Sequence, residues 1–256
     1  MGTVSKALQL LEILSDSLGP MGLTALASAA HFDKATTRRL LLELASNGFA
    51  TQDETSRAYD LGPALQQLGR VRGLRFQLAQ LVLPHIKSLA RKTQEMVHAT
   101  EYASKALFSI CMEESTHANR VTLDGGTKLP LHATASGIAF LAASNDKLID
   151  NVLSATLPAF TSKTVTDAAA LRHFISETRM RGYSVSNQSY DIGVHSVAAA
   201  ILGIGRKPVG TIAIARPTIR VTAENTREYG QLVAAAAAEV SAALGSPTSH
   251  KFKQAS

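Results

Sequence analysis

Residues 22–61, GLTALASAAHFDKATTRRLLLELASNGFATQDETSRAYDL, hold the pattern that decides the fold of the N-terminal part of the chain. Residues 23–31 have the composition of a short helix, with Thr24 as the predicted N-cap. After a tight turn, a second helix is predicted over residues 34–46, and it ends at Asn47-Gly48, a helix-stop pair. Two helices joined by so short a turn indicate a helix-turn-helix.

A β-hairpin is predicted directly after the second helix. Residues 49–51 and 59–61 are β-prone, and residues 52–57 between them are polar. Upstream, residues 4–16 repeat apolar side chains at helical spacing, which predicts a third helix that packs behind the pair. Three helices followed by a hairpin are typical of a winged helix-turn-helix, whose second paired helix lies in the major groove of DNA.

The second helix of the pair has two different faces. Thr37, Leu40, Leu41 and Leu44 share one face and predict its core side. The other face and the first turn carry the polar and basic residues that reach base edges and phosphates in this kind of fold. A solvated basic helix face would look the same, but the hairpin with its own basic residue favours DNA. The predicted DNA-binding residues are Thr24, Lys34, Ala35, Thr36, Thr37, Arg38, Arg39 and Arg57.

Net charge alone does not identify the DNA-binding part. The chain has a formal charge of +6. Residues 1–75 contribute eight Lys and Arg against seven Asp and Glu, a net charge of +1, and the remaining residues contribute 18 against 13, a net charge of +5. The DNA prediction therefore depends on where a few cations stand and not on bulk charge.

The composition predicts a cytoplasmic protein without a cofactor. Its 256 residues suffice for one large or two ordinary domains, and 45% of them are hydrophobic. The single cysteine, Cys111, excludes an internal disulfide and suits a reducing compartment. We expect no membrane span. We also expect no metal site, because the eight histidines are scattered, and no bound nucleotide, because neither a phosphate-binding loop nor a dinucleotide fingerprint is present.

A long amphipathic helix is predicted to connect two domains. Gly62-Pro63 opens it, and residues 63–80 would form a linker and dimerisation helix. We expect a break near Pro84, before a further helix over residues 85–93. The predicted organisation is a winged helix-turn-helix domain at 1–62, the linker at 63–80, a second domain at 81–246 and a disordered tail at 247–256.

The second domain alternates between strand and helix patterns. It predicts an α+β fold in which helices cover a sheet of about six strands. Strands are predicted over residues 97–102, 106–112, 121–123, 183–186, 196–202 and 209–215. Helices are predicted over residues 131–143 and 146–153, after Asp167 as a cap to residue 181, and after Thr222 as a cap to residue 244.

Five stretches along the chain form a recognisable series. They are residues 22–41, residues 57–63, residues 129–137 (LPLHATASG) with 181–183 (RGY), and residues 193–199 (GVHSVAA). Each is weakly specific alone, but in this order, and behind a winged helix, they are strongly specific together. Through them the chain resembles the IclR (isocitrate-lyase-regulator) family of bacterial transcriptional regulators over essentially its whole length.

The resemblance implies a DNA-binding domain, a linker helix and a C-terminal domain with a GAF-like or profilin-like sheet. In that family the last domain binds a small effector, often an organic or aromatic acid. Members usually act as dimers or tetramers on palindromic operators, as repressors or activators. The implied partners are therefore double-stranded operator DNA, a small carboxylate effector and further copies of the chain, with no membrane partner and no enzymatic activity.

A candidate effector pocket lies where the helix predicted over residues 131–143 begins. The first N–H groups of a helix are unpaired and favour a carboxylate, and small residues let a ligand approach the backbone. Small residues would equally allow close helix–sheet packing. The candidate effector-binding residues are Met112, Leu129, His132, Ala135, Ser136, Gly137, Asn187, Ser189, His195, Ser196 and Ala213.

Several positions depart from the pattern of the family. Ser196 stands where the family commonly has Cys, and Asn187-Gln188-Ser189 stand where it commonly has acidic residues, leaving Asp191. Ala213 and Ala215 are often Ser in relatives. A wall with less negative charge and fewer hydroxyl groups would favour an aromatic or similarly bulky carboxylate, which is our hypothesis for the effector.

Two other functions fit parts of the sequence. A hydrolase could use Ser136 or Ser196 with His132 or His195, but the sequence places no acid to orient either histidine. A ligand-independent DNA-binding protein would explain residues 1–62. It would not explain why the larger part of the chain forms a separate α+β domain.

Overall fold

The computed structural model of the chain describes residues 1–75 and 77–245. The chain divides into two compact units, the first ending at Phe76 and the second beginning at Gln77. This division falls inside the predicted linker, residues 63–80. The predicted disordered tail, residues 247–256, lies outside the described residues.

The first unit is a winged helix-turn-helix followed by one further helix. Its elements are α1 (Thr3–Asp16), α2 (Leu23–Ala30), α3 (Lys34–Ser46), β1 (Ala50–Gln52), β2 (Tyr59–Leu61) and α4 (Pro63–Arg75). The first three helices enclose an apolar core that contains Leu10, Leu26 and Leu41. β1 and β2 pair antiparallel, and Tyr59 of β2 buries its ring in the same core. The predicted fold of this part is confirmed.

The ends of α2 differ from the prediction. The N-cap is Gly22, which has no side chain to accept a hydrogen bond, so the prediction that Thr24 is the cap is wrong. The prediction also includes His31 in the helix, but His31 is the C-cap. Its φ of 55° is the left-handed conformation that ends many helices, and it lets the His31 N–H bond back to Ala27 and Ser28.

The second unit begins with α5 (Gln77–Thr93), and the predicted break at Pro84 is wrong. A proline in a helix interior destabilises it by about 3 kcal/mol. On either side of Pro84, Val82 and Ile86 are fully buried. Burying side chains of this size contributes about 1.5–3 kcal/mol each, which is enough to hold the helix continuous.

A six-stranded antiparallel sheet forms the centre of the second unit. Its strands are β3 (Met96–Ala103), β4 (Ala106–Glu113), β5 (Lys128–Leu129), β6 (Ser184–Asn187), β7 (Val194–Leu202) and β8 (Pro208–Pro217). They lie in the order β5-β4-β3-β8-β7-β6. The predicted strand over residues 121–123 is wrong, because this segment is not a strand and β5 pairs with β4 instead.

Four helices pack around this sheet besides α5. They are α6 (Ala135–Ala143), α7 (Asp146–Leu153), α8 (Ala168–Arg181) and α9 (Ala223–Ala243). Asp167 and Thr222 cap α8 and α9 as predicted. Thr134 caps α6, so this helix begins four residues later than predicted. None of the helices within residues 1–75 and 77–245 is long and apolar enough to cross a membrane.

The central strands β7 and β8 have two chemically different faces. Successive residues of a strand point to opposite faces of the sheet. Ala198 and Ala213 pack against α6 on one face. On the other face, the guanidinium of Arg216 lies 4.5 Å from the ring centre of Tyr229 in α9. The position of a residue along these strands therefore decides whether its side chain meets α6 or α9.

Candidate functional site

The exposed side of α3 carries the cations predicted to meet DNA. Lys34, Ala35, Arg38 and Arg39 are exposed, and Thr36 is half-buried in the first turn. We name these five residues the α3 surface. Across the described part of the chain, none of its three cations forms an ion pair. Their charged groups are therefore available to phosphates and base edges.

Two of the predicted DNA-binding residues lie elsewhere in the first unit. Thr37 is completely buried, and its hydroxyl donates a hydrogen bond of 2.9 Å to the carbonyl oxygen of Asp33. It belongs to the core of the unit and not to the α3 surface. Thr24 is exposed in the first turn of α2, outside the α3 surface.

Asp33 fixes the N-terminus of α3. Its carboxylate accepts a hydrogen bond of 2.8 Å from the N–H of Thr36. This bond holds the pKa of Asp33 below its ordinary value, because it stabilises the charged form. A negative charge here also complements the helix dipole. The first turn of α3, with Lys34, is therefore ordered before any DNA arrives.

Arg57 stands in the turn between β1 and β2. Asp53 orders this turn, since its carboxylate accepts hydrogen bonds of 2.7 Å from both the N–H and the hydroxyl of Ser56. Gln52 donates a bond of 2.9 Å to the carbonyl oxygen of Arg57. Arg57 itself has a φ of 58°, an uncommon conformation for a residue other than glycine. The hydrogen bonds of the turn thus hold the backbone beneath an exposed arginine.

A cavity of about 530 Å³, part of it open to solvent, lies in the second unit between the sheet and the N-terminus of α6. We name it the α6 cavity. Apolar side chains of Met96, Leu123, Leu129, Val194 and Ala215 form part of its wall. Hydroxyl groups come from Ser136, Ser186, Ser189, Tyr190 and Ser196. Among the described residues that line it, Asp191 alone carries a formal charge, and its side chain is exposed.

The structure brings some of the eleven candidate effector-binding residues together. Those that line the α6 cavity are Leu129, Ala135, Ser136, Ser189 and Ser196. His132 and Asn187 line a neighbouring groove, which shares Ser186 and Ser189 with the α6 cavity. His132 is already engaged there, because its Nε2 lies 2.8 Å from the carbonyl oxygen of Pro158.

His195 and Ala213 line neither space. His195 lies on the face of β7 that looks away from α6, and its strand partner is Arg216. Burial lowers the pKa of His195 to about 4, and the positive charge of Arg216 adds to this effect. Ala213 packs against α6, and Ala215, two residues along β8, reaches the cavity instead.

Gly137 and Met112 are also outside both spaces. A Cβ atom on Gly137 would lie 2.2 Å from the carbonyl oxygen of Leu131, so this glycine permits a close approach of two backbone segments. For Gly137, the small residue therefore serves close packing and not the approach of a ligand. Met112 is half-buried on β4, as the strand partner of His98.

The N-terminus of α6 offers two N–H groups to the cavity. The first four N–H groups of a helix have no partner inside it. The hydroxyl of Thr134 accepts from Gly137 at 2.9 Å, and the N–H of Ile138 makes the first ordinary bond of the helix, of 3.0 Å to the carbonyl oxygen of Thr134. The N–H groups of Ala135 and Ser136 remain, in residues that line the cavity. A carboxylate is the ligand group best suited to this position.

His98 is the main cavity residue that sequence reasoning missed. It lies on β3, two residues from Met96, and is only 6% exposed. Its Nε2 is 3.4 Å from the hydroxyl oxygen of Ser136, and its Nδ1 has no partner among the described residues. Burial lowers the pKa of His98 to about 4, so the imidazole is neutral at pH 7. The only available signal was its spacing from Met96 on one strand face.

The wall is more polar than the departures from the family suggested. Ala215 contributes carbon surface, as expected, but four serines line the same cavity. The residues present can bind a carboxylate at α6 and form several hydrogen bonds to the rest of a small molecule.

The structure does not bring together the serine and histidine side chains of the hydrolase that the sequence analysis considered. His132 bonds to a backbone carbonyl, and His195 faces away from both serines. The histidine that does reach Ser136 is His98, and no carboxylate orients its Nδ1 within the described residues. The described residues also contain no group of three His, Cys, Asp or Glu side chains able to hold a metal ion.

Comparison with known families gives two matches that together span most of the chain. The family described as "IclR helix-turn-helix domain" matches residues 3–54. The family described as "Bacterial transcriptional regulator IclR C-terminal" matches residues 74–242.

Individual relatives match over nearly their whole length. The transcriptional repressor IclR of Escherichia coli (strain K12) is 30% identical over 246 residues, which cover 95% of this chain and 90% of the relative. The glycerol operon regulatory protein of Streptomyces coelicolor is 30% identical over 222 residues, which cover 87% of each.

Solved structures show the same fold. An IclR transcriptional regulator from Silicibacter sp. TM1040 superposes with a TM-score of 0.84 and 34% identity, covering 99% of this chain and 100% of that one. An IclR homologue from Microbacterium hydrocarbonoxydans, complexed with 4-hydroxybenzoate, has a TM-score of 0.79 and 21% identity, covering 96% and 100%.

Proposed function

Since the chain belongs to the IclR family of bacterial transcriptional regulators, we propose that it binds an operator and controls a catabolic operon in response to a small organic acid. Its relatives with this layout include repressors and an operon regulator. One observation carries the proposal: the same chain has an unpaired cationic surface on α3 and a cavity at the N-terminus of α6.

The DNA end of this function rests on the α3 surface and the wing. Lys34, Thr36 and Arg38 stand at the end of α3 that reads base edges in a winged helix-turn-helix. Arg57 stands on the wing, from which it contacts phosphate or the minor groove. We assign Arg39 and Thr24 to phosphate contacts that position the domain without reading sequence.

The effector end rests on the α6 cavity. The carboxylate of the effector binds the N–H groups of Ala135 and Ser136, and serine hydroxyls bond to its other polar atoms. The relative from Microbacterium hydrocarbonoxydans binds 4-hydroxybenzoate, which is an aromatic acid. This agrees with the aromatic carboxylate inferred from the sequence.

The remaining parts of the proposal concern assembly, location and chemistry. We infer a dimer or tetramer, because one recognition helix reads only half of a palindromic operator. We place residues 63–80 as the linker through which the effector-binding domain acts on the DNA-binding domain. We assign the protein to the cytoplasm, because it regulates transcription and its single cysteine suits a reducing compartment. We assign it no enzymatic activity.

Two measurements on the full chain test this function. The first selects fragments of the source genome with the purified protein and sequences them. We expect enrichment of a palindromic site near a catabolic operon, and failure to enrich any site over random fragments would contradict the DNA assignment. The second measures affinity for the enriched site with and without each of a panel of carboxylic acids. An acid that changes this affinity supports the effector assignment, and a panel without effect contradicts it.

A further inference from the structure

The α6 cavity presents a problem of charge to any anion that enters it. No lysine or arginine is found among its described lining residues, and the α6 N-terminus supplies only about half a positive charge. A carboxylate taken out of water needs a countercharge or full hydrogen bonding, or it binds poorly. A further positive charge in the wall would therefore stabilise a bound acid beyond what the N–H groups and hydroxyl groups provide.

Among the described residues of the wall, His98 alone can provide this charge. Its side chain is buried, it lines the cavity, and its Nδ1 lacks a hydrogen-bond partner in the described part of the chain. We propose that His98 takes up one proton when the effector binds, so that the cavity holds an organic acid as a carboxylate–imidazolium pair. This deepens the proposed function and rests on it.

The surroundings of His98 contain little else that titrates. Its strand partners are Met112 on β4 and Ala213 on β8, and Ser136 faces it from α6. Residues 121–123 and the lining residues of β7 carry no ionisable side chain. The loop after β6 contributes Tyr190, whose pKa is raised by burial and by Asp191, and the exposed Asp191 itself. Neither group offers a positive charge to an anion.

The proton balance of the step is simple. Before binding, the imidazole carries one proton and the effector acid, at pH 7, carries none on its carboxylate. On binding, one proton from solvent adds to the ring nitrogen that lacks one. Both nitrogens of the imidazolium are then donors. Nε2, which lies 3.4 Å from the hydroxyl oxygen of Ser136 at the cavity wall, is the donor that faces Ser136 and the bound carboxylate, and Nδ1 stays buried behind it.

This step has a thermodynamic consequence that ordinary binding lacks. Burial keeps the pKa of His98 near 4 in the empty cavity, and a carboxylate beside the ring raises it. Between these two pKa values, each unit of falling pH increases the affinity by up to tenfold, because binding consumes a proton. A ligand held only by the helix N-terminus and hydroxyl groups shows no such dependence near pH 7.

Isothermal titration calorimetry on the full chain measures the proton directly. The probes are 4-hydroxybenzoate and a panel of monocarboxylates beginning with acetate, titrated at pH 7 in buffers of different ionisation enthalpy. We expect the acids that bind to take up a substantial fraction of one proton, and affinity to fall between pH 6 and pH 8. Binding with no proton uptake overturns the role of His98 but leaves the proposed function intact. Absence of binding by every acid at every pH overturns both.

Two variants assign the proton to its residue. We expect His98→Asn to bind the same acids more weakly and without proton uptake. The matched control is His195→Asn, since His195 is equally buried and also has an unpartnered Nδ1, but faces away from the cavity. It should retain the uptake of the original protein. Uptake that persists in His98→Asn overturns the proposal, and if that variant does not fold, the buffer series on the unmodified protein decides alone.

Discussion

Arg38 and Arg57, both proposed to contact DNA, carry the same charge on two different kinds of backbone. Arg38 lies on a helix whose first turn is capped by Asp33. Its backbone is therefore held in a fixed position, from which the side chain can recognise a particular base edge. Arg57 is held only by a hydrogen-bonded turn. The first arrangement suits sequence reading and the second suits a phosphate, which is the same at every site.

We therefore predict different losses for the two alanine variants. Arg38→Ala should weaken operator binding by about 5- to 150-fold, the range of one base contact, and weaken random-DNA binding less. Arg57→Ala should weaken both and reduce the slope of log affinity against log salt by about 1. Fluorescence anisotropy at several salt concentrations measures this. Lys147→Ala, an exposed cation in α7, is the control, and equal losses for both arginine variants on both DNAs would refute the assignment.

The buried histidines give the second unit a predictable sensitivity to acid. Burial holds the pKa of His98 and of His195 to about 4, against about 6.5 in the unfolded chain. Between these values the unfolded chain binds protons that the folded chain does not. The free energy of unfolding should therefore fall as pH decreases from 6.5 to 4, by up to about 3 kcal/mol for each histidine. Above pH 6.5 these histidines should not make the free energy of unfolding depend on pH.

Urea unfolding followed by circular dichroism at pH 7.5, 6 and 5 tests this sensitivity. His195→Asn should show a smaller loss of stability between pH 6 and pH 5 than the original protein. His173→Asn replaces an exposed histidine of α8 and controls for the loss of a histidine side chain at the surface. An unchanged pH dependence in His195→Asn would mean that the buried imidazole of His195 does not cause the loss of stability at low pH.

Helices and strands differ in how much of them the sequence determines. α3 begins and ends where its apolar stripe and its stop signals predict, because both signals are local. β5 escaped prediction because two residues hold no pattern, and only its pairing with β4 makes it a strand. Pro84 predicted a break for the same reason: its local cost is visible in the sequence, and the burial that offsets it depends on tertiary packing.

One ion pair joins two elements of the second unit at a buried position. Arg220 lies in the 3₁₀ turn Thr218–Arg220 before α9 and donates bonds of 2.7 and 2.6 Å to Glu95, which lies between α5 and β3. The Glu95 side chain is 4% exposed. Arg172 and Asp150, which join α8 to α7, are equally close at 2.6 Å, but both are more than half exposed.

Solvent exposure should make these two pairs unequal. We predict that Glu95→Ala lowers the free energy of unfolding by about 2–4 kcal/mol, because it removes one partner of a buried pair and leaves Arg220 without a countercharge. Asp150→Ala should change it by less than about 0.5 kcal/mol, as is usual for exposed pairs. Urea unfolding curves of both variants measure the difference. Similar losses would show that distance, and not burial, sets the strength of these pairs.

The sequence predicts some residues of the α6 cavity and not others. Segments 129–136 and 189–196 were predicted together because the family resemblance joins them. His98 was not, because the hydroxyl group beside its ring belongs to Ser136, 38 residues away, and the register of β3 turns the ring towards α6 rather than α5. The feature that distinguishes the chemistry of this cavity therefore comes from sheet pairing, which no short motif encodes.

Linkage between effector, proton and operator leads to a prediction for the molecule as a whole. If an acid changes operator affinity by some factor, the operator changes affinity for that acid by the same factor. Because acid binding takes up a proton at His98, a fixed, sub-saturating concentration of the acid should change operator affinity more at pH 6 than at pH 8. In His98→Asn this pH dependence should vanish. Anisotropy titrations with operator DNA at both pH values provide the measurement. An effect of the acid that is equal at pH 6 and pH 8 in the original protein would show that no proton accompanies the signal.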